Sequence, residues 1–161
     1  MVAKNDEAHQ ALAAQLKAHR VERMYAAVVH HVIQHDRGTV DAPIGRDPHH
    51  RQRMAVVHGT GKRAVTHFVV RERFREATLI ECRLETGRTH QIRVHMQYIG
   101  HPLIGDLLYG PKKNRYPIQG QALHARVLGF DHPRTGKRIR LEAELPEDME
   151  RLLAQLRAES L

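Results

Sequence analysis

The chain has 161 residues, 41% of them apolar, which is enough for one domain with a sizeable core and too apolar for a disordered segment. Lys and Arg number 26 against 18 Asp and Glu, and the formal charge of +8 favours a polyanionic partner. With 4% aromatics and no Trp the chain is no general stacking platform for single strands, and its single Cys excludes an internal disulfide. No apolar run approaches the ~18 residues of a membrane span and residues 1 to 20 hold no signal-peptide core, so a reducing cytoplasm is the expected compartment.

In chain order, "NDEAHQALAAQLKAHR" (5 to 20) reads as an amphipathic helix, with Asn5 or Asp6 as N-cap and Ala8, Leu12 and Leu16 along one stripe. "MYAAVVHHVI" (24 to 33) is apolar on both alternating faces, the pattern of a central strand covered on both sides. The Gly-, Asp- and Pro-punctuated stretch that follows reads as an exposed basic connection, with a short strand around Thr39 to Ile44. Residues 63 to 73 and 77 to 85 read as a hairpin, in which Cys82 alternates in phase with Thr78, Ile80 and Leu84 and is expected to be buried.

A helix is expected over 89 to 99, capped by Thr89 and stopped by Gly100, with Ile92, Met96 and Ile99 on its buried stripe. "GPKKNRYPIQG" is a basic loop, "QALHARVLGFDHP" and "KRIRLEAEL" are two more strands around "HPRTGK", and Pro146 opens a closing helix. Strands in succession, with one helix between them and helices at the ends, define an α+β domain on a largely antiparallel or mixed sheet with flanking helices.

The 14 histidines raise the question of a metal. His90 and His95 lie about 140° apart on a helix, unlike the i, i+4 pair of a shared zinc, and His30 and His31 point to opposite faces of a strand, so no metal site is expected. Arg93 falls on the shoulder of the buried stripe, about 100° round from Ile92. There it either aims into a cleft or lies with its stem packed along the helix as an ordinary surface charge. Tyr25, on the buried strand, reads by itself as a core tyrosine before it reads as a functional one.

Taken together, "LETGRTHQIRVH", "GHPLIGD" and "YG" resemble the RluA/RluD family of RNA pseudouridine synthases, and "RMYAAVVHHV", "GTVDAPIGRD", "KRAVTHFVV", "QALHARVLGFDHPRTG" and "LPEDM" follow as that family's successive blocks. The likeness is greatest to the RluD-like branch of Gram-positive bacteria. It implies isomerisation of uridine to pseudouridine in structured RNA, ribosomal RNA in particular, with no cofactor. It also implies roles: Tyr25 as the tyrosine that stacks on the extruded base and is linked to removal of the C5 proton, Arg93 as the arginine paired with the nucleophilic aspartate, and Leu103 or Ile104 as the apolar contact beneath the uracil. Arg88, His90 and Gln91 of the same motif are expected among the substrate contacts, and the basic loops 46 to 53 and 110 to 115 along the RNA.

The family's aspartate stands in a block reading "HRLDxxTSG", and no such block occurs in residues 1 to 161. "MVAKND" opens on an apolar pair, so Met1 is expected to be an internal methionine and residues 1 to 161 a single partial catalytic domain, the C-terminal part of a truncated pseudouridine synthase fold. Such a chain is expected to be inactive alone, to leave Arg93 without an anionic partner, and to self-associate through an exposed sheet edge. The alternative is a non-catalytic basic RNA-binding module.

Overall fold

Nine consecutive residues with Val and Ala on both alternating faces make β1 (Glu22–His30), and Ala27, Val28 and Val29 are fully buried. A strand sealed on both faces must also satisfy its backbone on both edges. The computed structural model, which describes residues 21–161, shows how this is met. The helix expected over 5 to 20 lies outside the described residues.

One edge of β1 pairs antiparallel with β6 (Ala77–Leu84) along its length from Met24 to His30. The other pairs with β7 (Leu123–Asp131) only from Glu22 to Ala27. Beyond that point the segment 102–104 and Ala122 take over: the Val28 N–H donates to the Ala122 carbonyl at 3.0 Å, Ile104 donates to Val28 at 2.9 Å, and His30 donates to Pro102 at 2.8 Å. Among the described residues the antiparallel sheet runs β2 (Arg37–Asp41), β5 (Val65–Arg73), β6, β1, β7, β8 (Arg138–Glu142). The β5–β6 hairpin and the β7–β8 hairpin are those expected from the sequence.

Alternation along β1 divides the core. Ala26 and Val28 face α2 (Glu147–Glu159), whose Met149, Leu152, Leu153 and Leu156 are all buried. Ala27 and Val29 face the other way, against Ile80, Cys82, Phe68 and the Ile92 and Met96 of α1 (Gln91–Tyr98). Cys82 is buried as its phase predicts, and burial pushes its thiol up to about 12.

Two expectations are corrected. The strand around Thr39 to Ile44 is two strands: Ala42 and Ile44 still donate to Ala64 and Lys62, but from Pro43 on the other edge of the chain takes a second partner, the Pro43 carbonyl accepting the Val57 N–H at 2.9 Å. β2 ends at Asp41 on the edge of the main sheet, and β3 (Ile44–Arg46) pairs instead with β4 (Met54–Val56) in a separate two-stranded sheet. Thr89 does not cap α1 either. The helix begins at Gln91 after His90, which is held left-handed at φ 55°, and the Gln91 side chain reaches back to accept the Arg88 N–H at 3.0 Å. Gly100, at φ +87°, ends the helix as expected.

Truncating the centre of the α2 contact leaves a cavity that the sheet cannot close. Leu152→Ala is expected to lower the unfolding free energy by about 2–5 kcal/mol, measured by urea denaturation.

Candidate active site

The start of α1 is fastened to β5 by a chain of polar groups. Val65 N–H donates to Thr86 Oγ1 (2.9 Å), and Thr86 donates to Gln91 Oε1 (2.7 Å). Gln91 Nε2 donates to the Val65 carbonyl and to Thr66 Oγ1, both at 2.9 Å. The His95 Nε2–H donates to the Ala42 carbonyl at 2.9 Å; Nδ1 therefore accepts from Thr66 Oγ1 at 2.8 Å. Every polar atom in this buried run has a partner, so the loop 86–90 and the helix behind it are held in one place. The side chain of Gln91 is turned inward, and Arg88 lies over the β5 side with its Nε on the Arg63 carbonyl at 2.8 Å.

With α1 fixed, Arg93 points away from the sheet to an aspartate thirteen positions on. Its Nε donates to Asp106 Oδ2 at 2.8 Å and its Nη2 to Oδ1 at 3.0 Å, the parallel two-bond geometry that a guanidinium offers a carboxylate. The Asp106 side chain is fully buried and that of Arg93 is 13% exposed. The expectation that Arg93 lacks an anionic partner is thus corrected: Asp106 of "HPLIGD" is that partner. Oδ1 also accepts the N–H groups of Leu108 (3.2 Å) and Tyr109 (3.1 Å). Burial works to raise the Asp106 carboxyl, but Arg93 and these N–H groups outweigh it and hold it below the usual carboxylate range; the same pairing raises Arg93.

Gly105 delivers Asp106 to this position. It lies left-handed at φ +83°, and any Cβ there would collide with the Gly120 carbonyl. Tyr109 completes the cluster: the Arg93 guanidinium sits 4.9 Å from its ring centre, and its hydroxyl accepts the Met54 N–H at 2.8 Å. That hydroxyl therefore donates to His90 Nδ1 at 2.7 Å. Burial, then Arg93, holds His90 below the ordinary imidazole range against the pull of Asp106, which keeps Nδ1 free to accept.

Tyr25 is half-buried on the α1 side of the sheet, packed against the cluster that contains Ile92, Met96 and Leu103. The β1–β7 pairing shifts register between Met24 and Tyr25, with Arg126 of β7 as the extra residue, so the bulge lies on the strand opposite Tyr25. Leu103, bridged to Val29, shares this face, whereas Ile104 packs on the opposite side against α2. The structure therefore brings Tyr25 and Leu103 together on the face that α1 covers. No hydrogen bond or ring contact joins Tyr25 to Arg93 among the described residues.

Sequence reasoning passed over two further groups. Asp106 carried one signal, an acid closing the apolar run "HPLIG". Arg23, two residues before Tyr25 on the same face, is the second: its Nε is buried without a hydrogen-bond partner, and its guanidinium occupies the space that a side chain at Gly87 would fill. Burial lowers Arg23, and interaction with Tyr25 opposes this.

An arginine locked onto a buried carboxylate and a tyrosine on the face that α1 covers thus stand, among the described residues, on a six-stranded antiparallel sheet. Residues 1–98 match the model of the RNA pseudouridylate synthase family, and the chain belongs to that family. It is 63% identical over 157 residues to an uncharacterized RNA pseudouridine synthase, YlyB, of Bacillus subtilis, covering 98% of this chain and 51% of that protein. It is 52% identical over 169 residues to ribosomal large subunit pseudouridine synthase D of Pseudomonas aeruginosa, covering 98% and 52%. The solved structure of human RNA pseudouridylate synthase domain containing 1 superposes with a TM-score of 0.74 at 28% identity, covering 98% of this chain and 74% of that one. The chain spans about half the length of the curated relatives it matches.

The Arg93–Asp106 pair sets a pH-dependent prediction. A carboxyl lowered in the folded state contributes stability above its unfolded value, near ~3.9, and loses it as pH falls through the folded value. Asp106→Asn leaves a half-buried guanidinium unpaired and is expected to cost about 3–5 kcal/mol at pH 7 by urea denaturation. The gap to the wild-type chain should narrow as the wild-type carboxyl is protonated in acid.

Proposed function

We propose that this chain is the C-terminal part of the catalytic domain of an RNA pseudouridine synthase that isomerises uridine in structured RNA, ribosomal RNA in particular. The observation that carries this reading is the orientation of Arg93. Two of its three nitrogens are committed to Asp106, while Nη1 has no partner among the described residues. A guanidinium held this way presents one remaining edge in a fixed direction, the arrangement needed to seat the carboxylate of an aspartate nucleophile without giving up its own proton. Asp106 would be the group that aims Arg93 and keeps its charge from being left bare.

In this reading the extruded base lies on the α1 side of the sheet, over Leu103, with Tyr25 against its face. The glycosidic bond breaks as the nucleophile engages the nucleotide, the uracil turns, C5 bonds to the sugar, and the C5 proton leaves toward Tyr25. Arg23, whose Nε has no hydrogen-bond partner among the described residues, is suited to an anionic part of the nucleotide or to charge developing on the Tyr25 oxygen. His90 and Arg88 stand at the entrance to α1, and Gln91 serves by fixing the loop that carries them. The exposed Arg46 and Arg51 of one basic loop and Lys112, Lys113 and Arg115 of the other give the RNA backbone its cationic path.

No described helix is long and apolar enough to cross a membrane. A ribosomal RNA substrate would support a cytoplasmic location. The β8 edge, with Leu141 56% exposed, is the candidate surface for self-association, to be read by light scattering. The second reading, an RNA-binding module without catalysis, is favoured by the absence of an "HRLDxxTSG" block from residues 1 to 161.

Tritium release from C5-labelled uridine RNA separates the possibilities. The 161-residue chain alone should show none, and turnover by it would refute the half-site reading. Addition in trans of a segment carrying the aspartate block should give release that Arg93→Ala abolishes. Release unaffected by Arg93→Ala would remove Arg93 from the mechanism, and RNA binding with no release under any combination would leave the binding-module reading.

A further inference from the structure

A second concavity lies at the far end of β1, on the other side of the sheet. His30 is five residues along the strand from Tyr25, about 16 Å at the rise of an extended chain, and its ring is 6.3 Å from that of Tyr116, which belongs to the α2 core. His30, His31, Arg75, Lys113, Arg115 and Tyr116 line a cleft of ≈ 580 Å³ there, a volume suited to a nucleotide-sized ligand.

The charges in the cleft are unevenly paired. Arg115 donates to Glu76 (3.1 Å) and Glu159 (3.0 Å) and lies 4.2 Å from the centre of the Tyr116 ring, so the one acid of the lining is already neutralised. Arg75 and Lys113, both exposed, form no ion pair among the described residues. The backbone beside them is unusual. His31 is held left-handed at φ 69°, with its N–H donating to the Glu76 carbonyl (2.8 Å) and its carbonyl accepting from Thr78 Oγ1 (2.9 Å). A residue other than glycine fixed in this conformation is the kind of local strain that accumulates at binding sites. Its ring stands 6.0 Å from His30 and 6.3 Å from His101. Burial, then the neighbouring His31 and Arg115, holds His30 below the ordinary imidazole range, as a positive local field would.

The chain between the two sites runs from one face of the sheet to the other. Tyr109 packs with Val94 of α1 and Tyr116 packs with the α2 core, so the loop between them, which carries Lys112, Lys113 and Arg115, rounds the end of the sheet. We propose that the cleft binds a phosphate group of a nucleotide ligand, supplied by RNA that follows this loop past the catalytic face, with Arg75 and Lys113 as its charged contacts and the His30 and His31 imidazoles as further donors. The choice of RNA as the source rests on the function proposed above; the phosphate chemistry does not.

The test uses the 161-residue chain, isotopically labelled, titrated separately with decauridylate, uridine monophosphate and inorganic phosphate. The imidazole signals of His30 and His31 are followed, and affinity is measured against salt. Decauridylate should shift both histidines, and the double variant Arg75→Ala/Lys113→Ala should bind it roughly tenfold more weakly, with a salt slope smaller by about 1.4. Both replaced side chains are exposed, and an amide spectrum unchanged away from them shows that the variant is folded. Saturation of the same shifts by the monophosphate or by phosphate at no higher concentration supports the cleft and assigns it to a free ligand. Lack of any shift at His30 and His31 with all three probes overturns the proposal, as does an unchanged affinity and slope in the double variant. If Arg88→Ala weakens decauridylate binding while the double variant does not, the cleft fails and the RNA reading stands. If the chain ignores decauridylate altogether, that reading fails, and the phosphate titration still decides the cleft.

Discussion

Everything in this domain is arranged around the need to satisfy a strand whose middle has no contact with water. Ala27, Val28 and Val29 are sealed on both faces, so each backbone group of β1 must find a partner in its own plane. β6 supplies one edge completely. β7 supplies the other only as far as Ala27, and the remaining donors and acceptors draw in Pro102, Ile104 and Ala122. This short graft is what anchors "HPLIGD". It alternates like a strand, which sends Leu103 to the α1 side and Ile104 to the α2 side, and Gly105 then turns the chain so that Asp106 meets Arg93. The ion pair of the site is in this sense a by-product of completing the sheet.

The electrostatics of the site follow the same economy. A carboxylate with no exposed surface is tolerated because four N–H groups converge on it, two from Arg93 and two from the turn that it begins. Arg93 in turn rests against Tyr109, whose hydroxyl links His90 to the backbone of β4. The small β3–β4 sheet, which has no part in the main sheet, is thereby coupled to the start of α1. On the other side of the helix the chain from Thr86 through Gln91 and Thr66 to His95 does similar work with neutral groups. Five residues of "TGRTHQIRVH" (Thr86, His90, Gln91, Arg93 and His95) are accounted for between the two networks, which explains a helix start so heavy in polar side chains and so poor in acid.

Much of the architecture was legible in the sequence because it rests on local periodicity. The unbroken apolar run of β1, the two hairpins and the α2 stripe follow from alternation and helical spacing alone, and the in-phase burial of Cys82 follows with them. What escaped was non-local or depended on a single backbone group. The Arg93–Asp106 pair joins a helix to a loop with a turn between them, and no spacing rule encodes it. Thr89 has the chemistry of a cap, but the helix starts only after the left-handed His90, with the Gln91 side chain held by Thr86, Val65 and Thr66. The split between β2 and β3 is non-local as well, since it depends on Val57 meeting the Pro43 carbonyl on the free edge of the chain. Arg23 left no mark at all, since its burial and its closeness to Gly87 arise only when the loop 86–90 meets β1.

The position of Cys82 has a practical consequence. It is the chain's single thiol, it stands directly across from Tyr25 in the β1–β6 ladder, and it has no exposed surface. A reagent can reach it only when the strands on either side part, so the rate at which it is modified reports how often the middle of the sheet opens. The protein thus carries a built-in clock for the breathing of the strand that holds its tyrosine, one residue wide and requiring no added label.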